Sequence, residues 1–301
     1  MPTYRVKEPP VDYTDKKDYI SATQLCAKTP LHFKYSRLPE EKKPKEWVRI
    51  TKKKKKDYNK PMGRALHSLV LQPSKFKDHF AYLNRKNMPY PNDTLRNKKN
   101  KEYSVNWEKE SFGKTILEYD EYNRVIAMRN AVYNSPRMSK LLDSGYIENN
   151  WYSDENEWGI KNKVRIDFVS NDPKRSYLLD LKMVSDANPD VVINNIFKSG
   201  KHVALGNYLW SVNNDPKRTV EEYRRFVIVA VEYYPPFAVS VINIDEFALE
   251  YAKICFEARM KTLQKCFKTG HFPSYEIFSD NKFNLTNIGI KNYMIKDDVI
   301  W

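Results

Sequence analysis

Two aspartates and a lysine stand out in VRIDFVSNDPKRSYLLDLK, residues 164–182, because they interrupt two apolar runs that read as strands. Asp167 lies in the first run, and Asp180 and Lys182 lie in the second. Carboxylate oxygens are the ligands that hard cations such as Mg²⁺ and Mn²⁺ prefer. A neighbouring amine can hold an attacking water or stabilise charge on a phosphate oxygen. These residues are therefore candidates for metal-assisted hydrolysis.

The polar turn NDPKR between the two runs predicts that they form a β-hairpin. Alternation along the first run sets Val164, Ile166 and Phe168 on the face opposite to Asp167. If the hairpin closes symmetrically, Asp167 faces Asp180 and Arg165 faces Lys182. Directly paired residues have Cβ atoms about 4.5–5.5 Å apart, and two carboxylates at that separation repel each other. A proton, a basic side chain or a divalent cation must offset this repulsion. A surface hairpin with alternating polar residues is the alternative, but the apolar neighbours of Asp180 favour the metal site.

The elements that must position these residues follow from hydrophobic periodicity. Helices are predicted over residues 61–73, 113–144, 189–199, the following stretch KHVALGNYLW, and 246–268. Strands are predicted over residues 164–170, 176–184, 225–234 and 237–244. The basic stretch NKKNKEY, residues 97–103, is predicted to be a loop. This order predicts an α/β or α+β domain in which helices cover a central sheet.

Composition limits the class of protein. No apolar run approaches membrane-spanning length, and the first residues lack the apolar core of a signal peptide. Three widely spaced cysteines form no zinc pattern and are typical of a reducing compartment, so we expect a cytoplasmic protein. The 52 Lys and Arg against 38 Asp and Glu give a net charge of +14, which favours nucleic acid as a partner. A lysine-rich composition that serves solubility is the alternative.

The spacing Asp-x(12)-Asp-Leu-Lys resembles the core of the PDDEXK nuclease superfamily. The surrounding segments resemble its RecE-type exonuclease VIII branch, a group of phage and prophage recombination nucleases. The similar segments are YISATQLCAKTPLHFKY, GRALHSLVLQPSKF, GYIENNWYSDENEWGIKNKVRIDF, DLKMVSDANPDVVINNIFKSGKHVALGNY and CFKTGHFPSY. They follow the order of the family over residues 18–275. The resemblance implies a restriction-endonuclease-like core with a central mixed β-sheet flanked by helices.

Carried over position by position, the resemblance implies a site for Mg²⁺, which Mn²⁺ can replace. The implied metal ligands are His67, Asp167 and Asp180, and the implied catalytic set is Asp167, Asp180 and Lys182. Further candidate site residues are Glu148, Arg165 and Tyr208. From the residues alone, His67 could be a structural histidine and Glu148 a surface acid. Ala204 departs from the family, which usually carries a strand-positioning glutamine there, while His202 and Tyr208 match it.

We divide the chain into three parts. Residues 61–275 are the nuclease domain, residues 1–60 are an irregular basic segment that packs on it, and residues 276–301 are a C-terminal extension. The run Lys52–Lys56 is expected to be a solvated loop, with contact to a phosphate backbone as the alternative.

The resemblance further implies a Mg²⁺-dependent exonuclease that resects linear double-stranded DNA from free ends for phage-type recombination. It implies a ring-like homo-oligomer, a single-strand annealing protein as partner, and no membrane. Two alternatives stay open. One is a superfamily nuclease for single strands, like the CRISPR-associated exonucleases that often hold an iron–sulfur cluster through four cysteines. The other is a DNA-binding protein with weakened catalysis.

Overall fold

A computed structural model describes residues 3–7, 10–43, 59–91 and 97–274 of the 301-residue chain. Within these ranges no helix has the length and apolar character needed to span a membrane. The run Lys52–Lys56 and the predicted extension 276–301 lie outside the described residues.

The strands and helices are named in chain order. The strands are β1 (Tyr4–Val6), β2 (Ile20–Ser21), β3 (Phe80–Tyr82), β4 (Thr115–Leu117), β5 (Gly145–Ser153), β6 (Asn162–Ser170), β7 (Leu178–Val184), β8 (Phe226–Glu232) and β9 (Val239–Ile244). The α-helices are α1 (Pro10–Asp15), α2 (Ala22–Leu25), α3 (Pro30–Arg37), α4 (Asn59–Leu71), α5 (Phe76–His79), α6 (Lys98–Glu110), α7 (Tyr119–Asn134), α8 (Pro189–Lys198), α9 (His202–Asn213) and α10 (Glu246–Thr269). Short 3₁₀ turns occur at Glu40–Lys42, Pro73–Lys75, Arg85–Asn87 and Met138–Lys140.

A mixed sheet of seven strands forms the centre of the described part of the chain. Its order is β1-β5-β6-β7-β8-β9, and β2 also pairs with β6. The β7–β8 and β2–β6 pairs are parallel and the other pairs are antiparallel. Helices α8 and α9 connect β7 to β8, as a parallel connection requires. The predicted class, a central mixed sheet flanked by helices, is confirmed.

Two apolar layers cover the faces of this sheet. Alternate residues of β7 and β8 pack against α8, α9 and α10 on one face, which we call the α9 face. The intervening residues pack against α4 and α7 on the other face, which we call the α4 face. Because β7 is covered on both faces, its sequence LLDLKMV is apolar at most positions. Asp180 and Lys182 therefore interrupt a strand that is otherwise core.

The chain before residue 44 contributes strands to the sheet. Tyr4 of β1 pairs with Tyr152 of β5, and β2 pairs in parallel with the start of β6. Lys163 of β6 is buried, and its ammonium donates hydrogen bonds to the carbonyls of Tyr13 and Lys16 at the end of α1. These contacts fix the segment against the core. The boundaries drawn at residues 60 and 275 stay predictions.

Three local predictions differ from the structure. The predicted loop over residues 97–103 was wrong, because Asn97 caps α6 by accepting a hydrogen bond from the Lys99 N–H. The long helix predicted over 113–144 is divided, because a capping box at Glu118 begins α7 after β4. Strand β5 was not predicted, since its centre carries the polar sequence ENN.

The crossing of α9 and α10 depends on Gly206. A Cβ at Gly206 would lie 2.2 Å from the carbonyl oxygen of Ala252, a backbone atom that cannot rotate away. We expect Gly206→Ala to destabilise the protein by about 1–3 kcal/mol, measured by urea unfolding. Gly63→Ala in α4 is the matched control, because its Cβ would meet only Met183 Cε at 3.9 Å. Equal losses of stability in the two variants would contradict this packing.

Candidate metal centre

Strand β6 has a gap in the hydrogen bonding along one edge. The ladder with β7 includes residues 168 and 169 of β6, and β2 pairs with residues 162 and 163 on the same strand. Over residues 164–167, no strand of the described chain pairs with this edge. Asp167 lies in this gap, where its side chain has space that a continuous ladder would fill.

The register of the hairpin brings the two acids together. The pair Phe168↔Leu179, extended by one residue, sets Asp167 against Asp180, as the symmetric hairpin predicted. The Leu181 N–H donates a hydrogen bond of 2.7 Å to Asp167 Oδ2. The carboxylate therefore takes the place of a backbone acceptor at the point where the two strands stop pairing.

A third acid, Glu148, comes from β5 on the opposite edge of β6. The β5–β6 ladder pairs Ile147 with Phe168 and Asn149 with Ile166, and it omits Glu148. Glu148 has a φ of 51°, in the left-handed region that residues with a Cβ rarely occupy. Such a conformation costs on the order of 1–3 kcal/mol and concentrates at functional sites.

The alternation of side chains reverses at this position of the sheet. Strict alternation predicted Val164, Ile166 and Phe168 on one face. Val164 and Ile166 do pack on the α9 face, but Phe168 packs on the α4 face. The prediction was wrong at Phe168. Glu148 and Asp167 both lie outside the β5–β6 ladder, and the side chains of Ile166 and Phe168, on either side of this interruption, point to opposite faces and not to the one face that strict alternation gives. The gap is therefore open to side chains from both faces.

Helix α4 places His67 at the gap. Met62, Leu66 and Leu69 are buried on the α4 face and fix the rotation of the helix. His67 Nδ1 lies 3.4 Å from Asp167 Oδ1 and 3.7 Å from the Oε1 of the Glu148 carboxylate. Ligand atoms of these three residues all lie within 4.8 Å of one another, which is a spacing that could hold a metal ion. The fold therefore brings together three side chains, His67, Glu148 and Asp167, that are far apart in the sequence.

Lys182 and Tyr208 approach from the α9 face. Lys182 Nζ is in direct contact with Asp180 Oδ2 and forms a partly buried ion pair with it. The Tyr208 ring packs on Phe226 of β8, with centroids 6.1 Å apart.

Arg165 contacts Glu148 rather than Lys182. The predicted pairing with Lys182 was wrong, because the β6–β7 ladder ends before it reaches Arg165. The Arg165 Nε donates a 2.7 Å hydrogen bond to Glu148 Oε2, which leaves Oε1 directed at His67. The buried Arg165 Nη1 has no partner among the described residues. Arg165 thus holds Glu148 and keeps one donor free beside the acids.

Electrostatic coupling ties these groups together. Burial opposes the charge on His67, but Asp167 and Glu148 outweigh it, so the pKa of His67 lies well above its usual range. Burial raises the pKa of Asp167, and the charge of Asp180 raises it further, although His67 opposes both. Burial also opposes the charge on Glu148, yet His67 and Arg165 lower its pKa overall. The imidazolium therefore acts as the counterion of the acids.

The amine and the phenol respond to the same acids. Burial opposes the charge on Lys182, but Asp180 and Asp167 outweigh it and raise the pKa of the amine. Burial, together with the charges of Asp180 and Asp167, raises the pKa of Tyr208 well above its usual range. At neutral pH Lys182 is therefore an ammonium ion and Tyr208 a neutral hydrogen-bond donor.

The donor set suits a divalent cation. The group that could hold a metal ion consists of the Glu148 and Asp167 carboxylates and the His67 imidazole, and it does not include Asp180. Two carboxylates and one imidazole match the oxygen and nitrogen ligands of Mn²⁺, and the carboxylates match Mg²⁺. A nearby positive charge would oppose the rise in the pKa of Asp167 that burial and the charge of Asp180 cause. A cation could thus replace the proton on His67 as the counterion of the acids.

The chain matches a protein-family model over most of its length. Residues 40–279 match the family model described as a PDDEXK-like domain of unknown function (DUF3799). The chain belongs to this PDDEXK-like family. Membership covers α4 and all the strands that carry the candidate site. It favours a nuclease that acts on DNA with a divalent metal, and it does not identify the RecE-type branch.

Solved structures add a likeness of fold. A crystal structure named "Putative exonuclease" from Eubacterium rectale aligns with a TM-score of 0.52 and 12% identity, covering 94% of this chain and 97% of that chain. A second structure, SSO0001, covers 65% of this chain and 85% of that chain at 12% identity, with a TM-score of 0.26. Comparison with curated proteins gives no match.

Metal affinity should depend on the protonation of His67. Its pKa is raised in the metal-free protein, so a metal that uses the imidazole must displace a proton near neutral pH. We expect Mn²⁺ affinity to rise as the pH increases from about 6 to 8, with proton release in calorimetry in two buffers of different ionisation enthalpy. His67→Gln should weaken binding and flatten this dependence. The exposed His79→Gln is the control, and an unchanged slope in His67→Gln would exclude His67 as a ligand.

Proposed function

We propose that this protein is a divalent-metal-dependent exodeoxyribonuclease that resects linear double-stranded DNA from its ends. The observation that carries the proposal is the convergence of His67, Glu148 and Asp167 at the gap in β6, beside the Asp180–Lys182 ion pair. Membership of the PDDEXK-like family supports a nuclease. The net charge of +14 supports a polyanionic substrate.

We assign the metal, Mg²⁺ or Mn²⁺, to His67, Asp167 and Asp180, with Glu148 as a further candidate ligand. When bound, the metal supplies a Lewis acid that acidifies a water molecule and neutralises charge on the scissile phosphate. Arg165 is a positioning residue in this proposal, because it holds one oxygen of Glu148 and directs the other towards His67.

Lys182 is the proposed catalytic lysine. Its ammonium group lies against Asp180 and can donate hydrogen bonds to an attacking water or to a phosphate oxygen. Tyr208 keeps its proton because its pKa is raised, so its hydroxyl can donate a hydrogen bond to the bound DNA strand. Ala204 lies one helical turn before Tyr208 and cannot supply the amide that the family usually has there. Tyr208 and Lys182 must therefore position the phosphate without a hydrogen bond from a side-chain amide at residue 204.

The choice of substrate rests on resemblance and charge. The RecE-type resemblance supports duplex ends as the substrate, a ring-like homo-oligomer and a single-strand annealing protein as partner. It also supports a role in phage-type recombination in the cytoplasm of a bacterial host. Excess positive charge binds the phosphate backbone without reading sequence, so the affinity should fall steeply as salt concentration rises.

Degradation of linear DNA tests the reaction and the site together. We expect Mg²⁺ or Mn²⁺ to support loss of linear duplex DNA and to spare a closed circle, and EDTA to stop the reaction. Asp180→Ala should abolish activity, because it removes a metal ligand and the partner of Lys182. Asp186→Ala, an exposed acid nearby, should retain it. Degradation that survives Asp180→Ala would contradict the site, and absence of degradation in the wild type would favour a DNA-binding protein.

Lys182→Ala separates catalysis from metal binding. The amine is not a proposed ligand, so the variant should bind Mn²⁺ at least as tightly as the wild type in calorimetry. Its rate of DNA degradation should fall by about 100-fold or more, since it lacks the donor to the water or phosphate. The exposed Lys174→Ala, in the turn between β6 and β7, is the control. A Lys182→Ala variant with full activity would show that the amine serves only to neutralise Asp180.

A further inference from the structure

A cluster of aromatic rings lies among the helices that cover the α9 face of the sheet, the face on which Lys182 and Tyr208 lie. Phe197, His202 and Tyr251 stack pairwise and form what we call the aromatic ledge. The centroid distances are 4.9 Å for Phe197–His202, 5.8 Å for His202–Tyr251 and 6.3 Å for Phe197–Tyr251, with interplanar angles of 4°, 26° and 26°. Tyr251 is 47% exposed, so a planar group from solution can reach this set of nearly parallel rings.

The exposed surface extends along α10 on both sides of Tyr251. Phe247 is 83% exposed one turn before it, and Ile254 is 57% exposed one turn after it. Residues at this spacing share one face of a helix. Of these three exposed side chains, Phe247 and Tyr251 carry rings on which a base could stack, and Ile254 does not.

Positive charge borders the ledge. Lys198, the last residue of α8, and Lys201, in the turn directly before His202, are both exposed. On α10, Arg259 follows Tyr251 by two turns and donates a 2.9 Å hydrogen bond to the Ala27 carbonyl. Among the described residues no carboxylate pairs with Arg259, so its charge is not neutralised locally.

Cys26 lies between the turn that joins α8 to α9 and the metal centre. Its carbonyl oxygen is 3.6 Å from the place where a Cβ of Gly200 would stand. Burial raises the pKa of the Cys26 thiol, and three nearby cations oppose that shift. They are Arg259, Lys201 and Lys182. Lys182 belongs to the metal centre, and Lys201 directly precedes His202 of the ledge. A phosphate backbone that leaves the metal centre in this direction therefore meets cations until it reaches the rings.

We propose that the aromatic ledge stacks unpaired bases of a DNA strand whose backbone crosses Lys201 and Arg259 on its way to or from the metal centre. Stacking suits a nuclease that reads no sequence, because every base offers a π face. This inference rests on the proposed function and deepens it, since it places the single-stranded part of the DNA. A second copy of the chain, the other candidate occupant, would gain nothing from the row of cations.

Binding of a single strand tests the ledge without any need for catalysis. The probe is a fluorescent oligothymidylate of about 20 nucleotides, followed by anisotropy in EDTA so that no metal-dependent cleavage occurs. We expect Tyr251→Ala to weaken binding about tenfold, as loss of one stacking platform does. Tyr251→Phe should bind like the wild type because it keeps the ring.

Ile254→Ala is the matched control, because Ile254 is exposed on the same helix face but has no ring. We expect it to leave binding of the oligonucleotide unchanged. Unchanged binding by Tyr251→Ala would overturn the proposal. Equal losses in Tyr251→Ala and Ile254→Ala, together with a smaller mass in sedimentation, would overturn it in favour of an interface between copies. If the wild type cleaves no DNA but binds the oligonucleotide through Tyr251, the nuclease assignment fails and the ledge stands.

Discussion

Repulsion between carboxylates in a confined space is the constraint on which the candidate site depends. Asp167 and Asp180 face each other where two strands stop pairing, and the backbone N–H of Leu181 reaches only one of them. Among the described residues, two basic side chains offset this negative charge. His67 contacts Asp167 from the α4 face, and Lys182 contacts Asp180 on the α9 face. A protein built only for stability would place apolar residues at these positions. Binding of a cation would offset the same repulsion, which explains why acids are kept at these positions.

The rest of the fold keeps the gap in β6 open and fixed in shape. Pairing with β7 closes one end of the gap, and pairing with β2 closes the other. Since β2 comes from the start of the chain, the N-terminal segment is part of the architecture of the site. Lys163 secures that segment through two backbone carbonyls. Layers of apolar side chains on both faces make the central strands rigid, which a preorganised site requires.

The pairing of Asp167 with Asp180 could be predicted from the sequence because it follows from local rules. A symmetric turn fixes the register of a hairpin, and that register sets Asp167 against Asp180. His67 came from family resemblance alone, because helical periodicity shows which residues face the core and not what a polar edge residue meets. The left-handed conformation of Glu148 has no local signal, since neither glycine nor asparagine occupies the position. Phe168 was misplaced for the same reason, because the reversal of alternation is a property of two strands together.

The pairing of β1 with β5 has a consequence for how the protein is made. Tyr4 emerges from the ribosome long before its partner Tyr152, so the first strand waits until β5 has been synthesised. When β5 appears, its partner for the outer edge is therefore already present in the growing chain. An unpaired edge strand is a template for association with other chains. A segment of only three residues, β1, is thus placed to cover the outer edge of β5 as soon as that strand forms.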